Sequence, residues 1–245
     1  MSDYKDVYLK RLNRYGLDYQ SRVQHKREED FNRYLLKSNY QVEFNYNNKI
    51  EVGSFERYKQ DETQTLHYLL TKVDLEIPNG TILMIPNKND EEDLRPWMVY
   101  YLEEIKSSGY NKYIMLRMTH YLTWETDNGQ QESWAYMYGQ GDNMLKDEIR
   151  SRSRMSVLYQ ENLKMSFFVM PRNQYIKKDV LFLVGEDPYI EQYRVTGYDI
   201  QSSLGIEYVT IDPTYRHDTS QIPDLNNGEN SNKLFWLTGE DSSND

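Results

Sequence analysis

The side chains able to do chemistry are scattered. His25, His67, His120 and His217 lie far apart in a chain of 245 residues. None stands at the His-x-x-x-His or His-Glu-x-x-His spacing that puts two imidazoles on one helical face for zinc. There is no Gly-Lys-Ser/Thr loop to cradle a phosphate and no Gly-x-Ser-x-Gly elbow to expose a nucleophile. Cysteine is absent, which removes disulfides, thiolate metal sites and cysteine nucleophiles. With 39 acidic residues, two carboxylates could meet for glycoside hydrolysis from anywhere, so their number is not diagnostic. The expectation is a protein that is not an enzyme, with no catalytic residue, no cofactor and no metal ligand.

Three clusters carry other chemistry. Asp90, Glu91, Glu92 and Asp93 could attract a cation, but no Asp-x-Asp-x-Asp-Gly frame surrounds them, and solvated charge is the favoured reading. Arg150, Arg152 and Arg154 alternate with serine and would share one face of a strand. They could meet a phosphate backbone or a neighbouring chain's carboxylates, or simply face water. Trp97, Trp124 and Trp134, with many tyrosines, could form stacking platforms for a carbohydrate.

The elements that must position these residues are mostly strands. Residues 1–39 read as a helical arm with a break at Gly16 and a second helix starting near Ser21. Its narrow apolar edge among many charges makes Tyr8, Leu12, Arg27 and Phe31 candidate contacts to another subunit. Residues 40–126 read as a first β-domain, with Val42, Phe44 and Tyr46 alternating and Asn47-Asn48 turning. Within it, Gly53 to Thr65 reads as a long polar loop, Leu66 to Ile77 as one strand, and Asn87 to Leu94 as an acidic loop. Pro78-Asn79-Gly80 is a strong turn signal, because Asn-Gly tolerates positive φ. The clearest hairpin pairs 121–126 with 132–138 around Asp127-Asn128-Gly129, and places Trp124 and Trp134 close across the two strands. Residues 127–154 read as hairpin and short helical linker, and 155–212 as a second β-domain. Three strands in each domain repeat one plan, 82–85, 97–102 and 113–118 against 180–184, 193–196 and 206–211, a weak internal duplication. Residues 213–245 read as a mobile tail. Phe235 and Trp236 within it form an apolar patch that would need a cover. The expected fold is mainly β: two small antiparallel β-barrel or sandwich units preceded by an N-terminal helical arm.

Composition narrows the class. Hydrophobic residues make up only 38% against 28% charged, so each core must be small. Tyrosine outnumbers phenylalanine 23 to 7, which suits half-buried sheet faces and protein interfaces. A net charge of −10 opposes a general nucleic-acid-binding surface while allowing a local basic patch. The polar start Met1-Ser-Asp-Tyr-Lys-Asp lacks a signal-peptide core, and no run approaches the roughly 18 apolar residues of a membrane span. These features lead to the expectation of a cytoplasmic protein at synthesis.

Several segments carry a family resemblance. Tyr4-Lys-Asp with Leu9-Lys-Arg-Leu-Asn-Arg-Tyr-Gly16, Leu66-His-Tyr-Leu-Leu-Thr71, Asn79-Gly-Thr-Ile-Leu-Met-Ile85, Arg95-Pro-Trp-Met-Val-Tyr-Tyr-Leu102 and Tyr193-Arg-Val-Thr-Gly-Tyr-Asp199 with Gly205-Ile-Glu-Tyr-Val209 resemble head-tail connector or head-closure (neck) proteins of tailed phages of Gram-positive hosts. The likeness spans about residues 4 to 212 and contains no invariant reactive residue. It implies a virion protein assembled in the host cytoplasm as a homo-oligomeric ring. Its partners would be a portal or adaptor protein, tail-side neck proteins, and genomic DNA traversing the lumen without sequence-specific binding. Asp90, Glu91, Glu92 and Asp93 would then face that lumen as a negative collar, and Arg150, Arg152, Arg154, Phe235 and Trp236 would join the subunit interfaces. The alternative function is a tail or baseplate component with a host-carbohydrate-binding β-domain.

Overall fold

The computed structural model describes residues 4, 7–8, 19–58, 65–87, 90–103, 109–138, 166–185, 190–199 and 204–214. It is mainly β, with a helix ahead of two six-stranded antiparallel sheets, as the sequence led us to expect. The helix α1 is Tyr19–Lys37. The first sheet contains β1 (Gln41–Tyr46), β2 (Lys49–Arg57), β3 (Leu66–Thr71), β4 (Ile82–Asn87), β5 (Asp90–Glu103) and β6 (Asn111–Arg117), in the order β1-β2-β3-β6-β5-β4. The second contains β7 (His120–Thr126), β8 (Gly129–Tyr138), β9 (Phe167–Pro171), β10 (Leu181–Val184), β11 (Glu191–Asp199) and β12 (Ile206–Thr214). Its order β10-β11-β12-β9-β8-β7 closes into a barrel through Leu183↔Thr123 and Val184↔Leu122. The repeated meanders of the sequence are β4-β5-β6 and β10-β11-β12, each made of adjacent strands of one sheet.

Side-chain parity sorts every strand onto two faces. In the first sheet Phe44, Leu69, Leu83, Ile85, Trp97, Val99, Tyr113 and Met115 point inward to one core. The segment after β3 stoppers one end of it. Tyr113 Oη donates to Leu75 O at 2.9 Å and accepts from Ile77 N at 3.0 Å, and Asn111 Nδ2 donates to Val73 O and Leu75 O. In the second sheet Trp124, Phe168, Phe182, Val195, Val209 and Ile211 fill the barrel. The opposite faces of the two sheets meet each other: Met98, Tyr100, Ile114 and Leu116 pack with Tyr121, Trp134, Tyr138, Phe167, Val169 and Tyr208 in one shared core. Four tyrosines, Tyr100, Tyr121, Tyr138 and Tyr208, are buried here, where an apolar ring also needs a hydroxyl partner. Tyr100 Oη and Tyr208 Oη lie 2.9 Å apart. Burial pushes the Tyr208 phenol up to about 12.

Several expectations are corrected. Gly53 to Arg57 is the second half of β2, and β5 begins at Asp90, so the start of the first expected loop and most of the second are strand. Apolar inward positions extend through both stretches: Phe55 faces the first core, and Trp97 follows Asp93 and Arg95 at the same parity. Leu66 to Ile77 is not one strand; β3 stops at Thr71, and the chain turns to reach Tyr113. The 121–138 hairpin exists, but Trp124 opposes Gln131 and Trp134 opposes Tyr121. Trp124 therefore fills the barrel while Trp134 enters the shared core, on opposite faces. That hairpin supplies β7 and β8 to the second sheet, so the change of sheet falls between Arg117 and His120 and not near residue 126.

The helix is anchored by Phe31 and Leu35, one turn apart, against Leu70 of β3. Phe31 stacks on Tyr110 with centroids 5.0 Å apart. Phe31 is only 5% exposed, so it belongs to this chain's own core and is no contact for another subunit. Tyr8 and Arg27 are exposed. Leu12, Arg150, Arg152, Arg154, Phe235 and Trp236 lie outside the described residues.

One carboxyl is enclosed by the second barrel. Glu207 shows 1% of its surface, and its Oε2 accepts from Asn173 N at 3.2 Å, tying the turn after β9 to β12. Burial raises its pKa, opposed by the Asn173 bond and Arg172. The native state therefore holds this proton at pH values where the unfolded chain has lost it. Its stabilising contribution is complete below the unfolded pKa of about 4.3 and is lost as pH rises through the folded value. Glu207→Gln keeps an oxygen for Asn173 and removes the charge. We expect its melting temperature to match wild type near pH 4 and to exceed it near pH 8. Parallel melting curves across that range would show that Glu207 titrates as it does in the unfolded chain.

Candidate functional site

A concentration of arginine lies at the end of the first sheet where β2 stops and β3 begins. Antiparallel register builds it. Arg57 opposes His67, which opposes Met115. One row further, Arg117 opposes Trp97, and Arg95 follows two residues along β5. Arg57, Arg95 and Arg117 therefore share the inward parity of Phe55, Trp97 and Met115. Arg95 and Arg117 are diagonal neighbours, a separation that long side chains span.

Below the arginines is an aromatic floor. Phe55 stacks on His67 at 4.7 Å, and Trp97 meets both edge-on, at 4.9 Å from Phe55 and 4.7 Å from His67.

Asp93 is the carboxylate that pairs with Arg95. Asp93 Oδ2 accepts from Arg95 Nε at 3.0 Å, from Arg95 Nη2 at 2.8 Å and from Asn87 Nδ2 at 2.8 Å. Among the described residues, Asp93 Oδ1 is shielded from water and accepts no hydrogen bond. Arg117 is half-buried and makes no ion pair among the described residues. Its pKa is lowered, first by burial and then by the like charge of Arg95, while Asp93 raises it. Arginine does not lose its proton in proteins, so the cation remains. Two guanidinium groups beside one carboxylate, on an apolar floor, suit an anion with several oxygens.

The expected lumen cluster is thus divided. Glu92 is exposed, whereas Asp93 is a partly buried ion-pair partner and not a free charge on a rim. The expected carbohydrate platforms are also corrected. Trp97, Trp124 and Trp134 are 5%, 0% and 8% exposed, so none presents a face to a sugar. Sequence reading missed Arg57, Arg95 and Arg117 because they are spread over sixty residues with no local motif. The available signal was parity: each is a cation at a strand position whose same-face neighbours are apolar.

Other titratable clusters hold the fold together. His120 accepts or donates through Nδ1 to Thr119 Oγ1 at 2.7 Å, and burial lowers its pKa while Glu191 raises it. Tyr193 donates to Glu191, and its phenol is raised by burial and that bond. Burial, then Glu132, raises Tyr121. Among the described residues, no three His, Asp or Glu side chains are grouped to hold a metal. No described helix is long and apolar enough to cross a membrane.

Neither a protein-family model nor a curated protein matches this chain. Solved structures do. MrkH, a c-di-GMP-dependent transcription regulatory factor, is 10% identical over 81% of this chain and 86% of that one, with a TM-score of 0.24. The K. pneumonia MrkH–c-di-GMP complex is 11% identical over 81% and 89%, with a TM-score of 0.25. The Borreliella burgdorferi PlzA protein in complex with c-di-GMP is 6% identical over 88% and 98%, with a TM-score of 0.23. These similar chains are c-di-GMP-dependent or c-di-GMP-bound proteins, not phage structural proteins. The head-tail connector assignment, with its tail or baseplate alternative, is corrected accordingly. Superpositions this loose carry no argument about what this chain binds.

Proposed function

We propose that this chain is a binding protein for a phosphate-bearing anion, not an enzyme, with Arg57, Arg95 and Arg117 as the recognising cations. The observation that carries this reading is Arg117, a half-buried guanidinium whose nearest charged neighbours are another arginine and a shared carboxylate. Phosphate oxygens would satisfy Arg95 and Arg117 together in the bidentate geometry guanidinium groups favour. A binding role is supported by the perturbed groups elsewhere: Tyr113, Tyr193 and Glu207 are each engaged in a bond that fixes a loop or strand. A net charge of −10 does not oppose local anion binding, because the screening length is about 8 Å at physiological salt.

The test is calorimetric titration with inorganic phosphate and, separately, with c-di-GMP, the ligand named for MrkH and PlzA and a carrier of two phosphodiesters. Binding of either is expected, weakening as salt rises. Arg117→Ala is expected to weaken it by about tenfold to a hundredfold, the loss of one or two charged hydrogen bonds. Absence of binding by both ligands at low salt, or an Arg117→Ala protein that binds as wild type does, would overturn the reading.

A further inference from the structure

We infer that Asp93 is a built-in competitor for this site, an internal carboxylate that holds the Arg95 fork until a phosphate-bearing ligand displaces it; this rests on the anion-binding reading above. The geometry of the pair points to displacement. Asp93 uses one oxygen for three donors, two from Arg95 and one from Asn87, and leaves Oδ1 shielded without a bond. A fork-to-fork pair would use both oxygens, whereas here Arg95 meets only one oxygen of Asp93. The same carboxylate lies near enough to act on Arg117 yet makes no ion pair with it. An incoming phosphate has oxygens for both guanidinium groups and could replace a half-used carboxylate with a fuller set of bonds.

The location of Asp93 permits the exchange. It sits on the β4–β5 hairpin, where the register shifts between Pro86 and Asn87, and Asn87 opposes Asp90. Such an irregularity locally breaks the ladder and concentrates bending there. Asp93 follows Glu92, an exposed acid, and precedes Leu94, which is 42% exposed. Movement of this short stretch would not disturb the core residues Trp97 and Val99 further along β5. The competitor is held by Asn87 as well as by Arg95, so both anchors set how readily it leaves.

The experiment compares wild type, Asp93→Asn and Asn87→Ala in titrations with inorganic phosphate and with c-di-GMP at one low ionic strength, with melting curves confirming that each variant folds. Asp93→Asn removes the competing charge and is expected to bind phosphate about tenfold more tightly, the scale of one charge-assisted contact. Asn87→Ala, which loosens the competitor without touching an arginine, is expected to tighten binding by a smaller factor. Adding Arg117→Ala to Asp93→Asn should remove the gain. In wild type, phosphate should also shift the Asn87 side-chain amide resonances as its partner departs. If wild type binds but Asp93→Asn binds equally or more weakly, the competitor role is wrong and the binding site stands. If neither wild type nor Asp93→Asn binds phosphate or c-di-GMP, both readings fall.

Discussion

Gly80→Ala and Gly205→Ala are each expected to destabilise the fold on the order of 4 kcal/mol or more, beyond the range of an ordinary point substitution. Gly80 (φ 84°) ends the turn before β4 of the first sheet, and Gly205 (φ 81°) ends the turn before β12 of the second. The two turns touch backbone to backbone. A Cβ at Gly80 would overlap the carbonyl oxygen of Gly205, and a Cβ at Gly205 would overlap that of Asn79. Neither turn can back away cheaply, because Gly80 N donates to Val99 O at 2.7 Å and Arg172 N donates to Gly205 O at 3.0 Å. Gly129 supplies the control. It has φ 98° in the β7–β8 turn and open space where its Cβ would stand. Gly129→Ala should therefore show only the backbone cost of a left-handed alanine, about 1–2 kcal/mol. Denaturant midpoints of the three variants decide the matter. Equal losses at all three positions would mean that the contact between the turns contributes nothing. Because both larger effects come from one contact, the double variant should lose less than the sum of the singles.

The same pair of glycines shows what the sequence discloses and what it conceals. Asn79-Gly80 announces a turn by itself, since the conformation is a local property of two residues. Its contact with Gly205 depends on how two sheets meet and leaves no local trace. The strands were legible for the first reason. Val42, Phe44 and Tyr46 alternate, as do the residues flanking Asp127-Asn128-Gly129, and both became hairpins. Sheet membership was not legible, because β7 follows β6 after two residues and yet belongs to the other sheet. Burial of the tryptophans was concealed likewise: the hairpin signal set Trp124 and Trp134 close across two strands, but the register sends them to opposite faces, and both faces are buried. The arginine site followed the same pattern. Arg95 and Arg117 are visible as cations in apolar strands, while their meeting is set by the Trp97↔Arg117 register.

Tyr208→Ala should cost about 3–5 kcal/mol, the scale of removing a large buried aromatic side chain. Tyr208 is 2% exposed, meets Phe167 edge-on at 6.3 Å and shares its hydroxyl with Tyr100 across the two sheets. Its removal opens a cavity in the core that both sheets line, so neither sheet can collapse to fill it without moving the other. Tyr208→Phe and Tyr100→Phe separate the polar part of the effect. Each is expected to cost about 1 kcal/mol, and the double variant less than their sum, because deleting both hydroxyls leaves neither facing the other's absence. The distribution of the loss is as informative as its size. Three of the four tryptophans report on different places: Trp124 inside the barrel, Trp97 inside the first sheet and Trp134 in the shared core. With one core joining the sheets, variants that keep a single tryptophan should unfold at the same denaturant midpoint in the wild-type background, and Tyr208→Ala should move all three midpoints together. If Tyr208→Ala lowered only the Trp124 and Trp134 midpoints while Trp97 kept its own, the first sheet would be stable without the second. The arginine site could then be studied in the first sheet alone; a common shift means that it exists only when both sheets are folded.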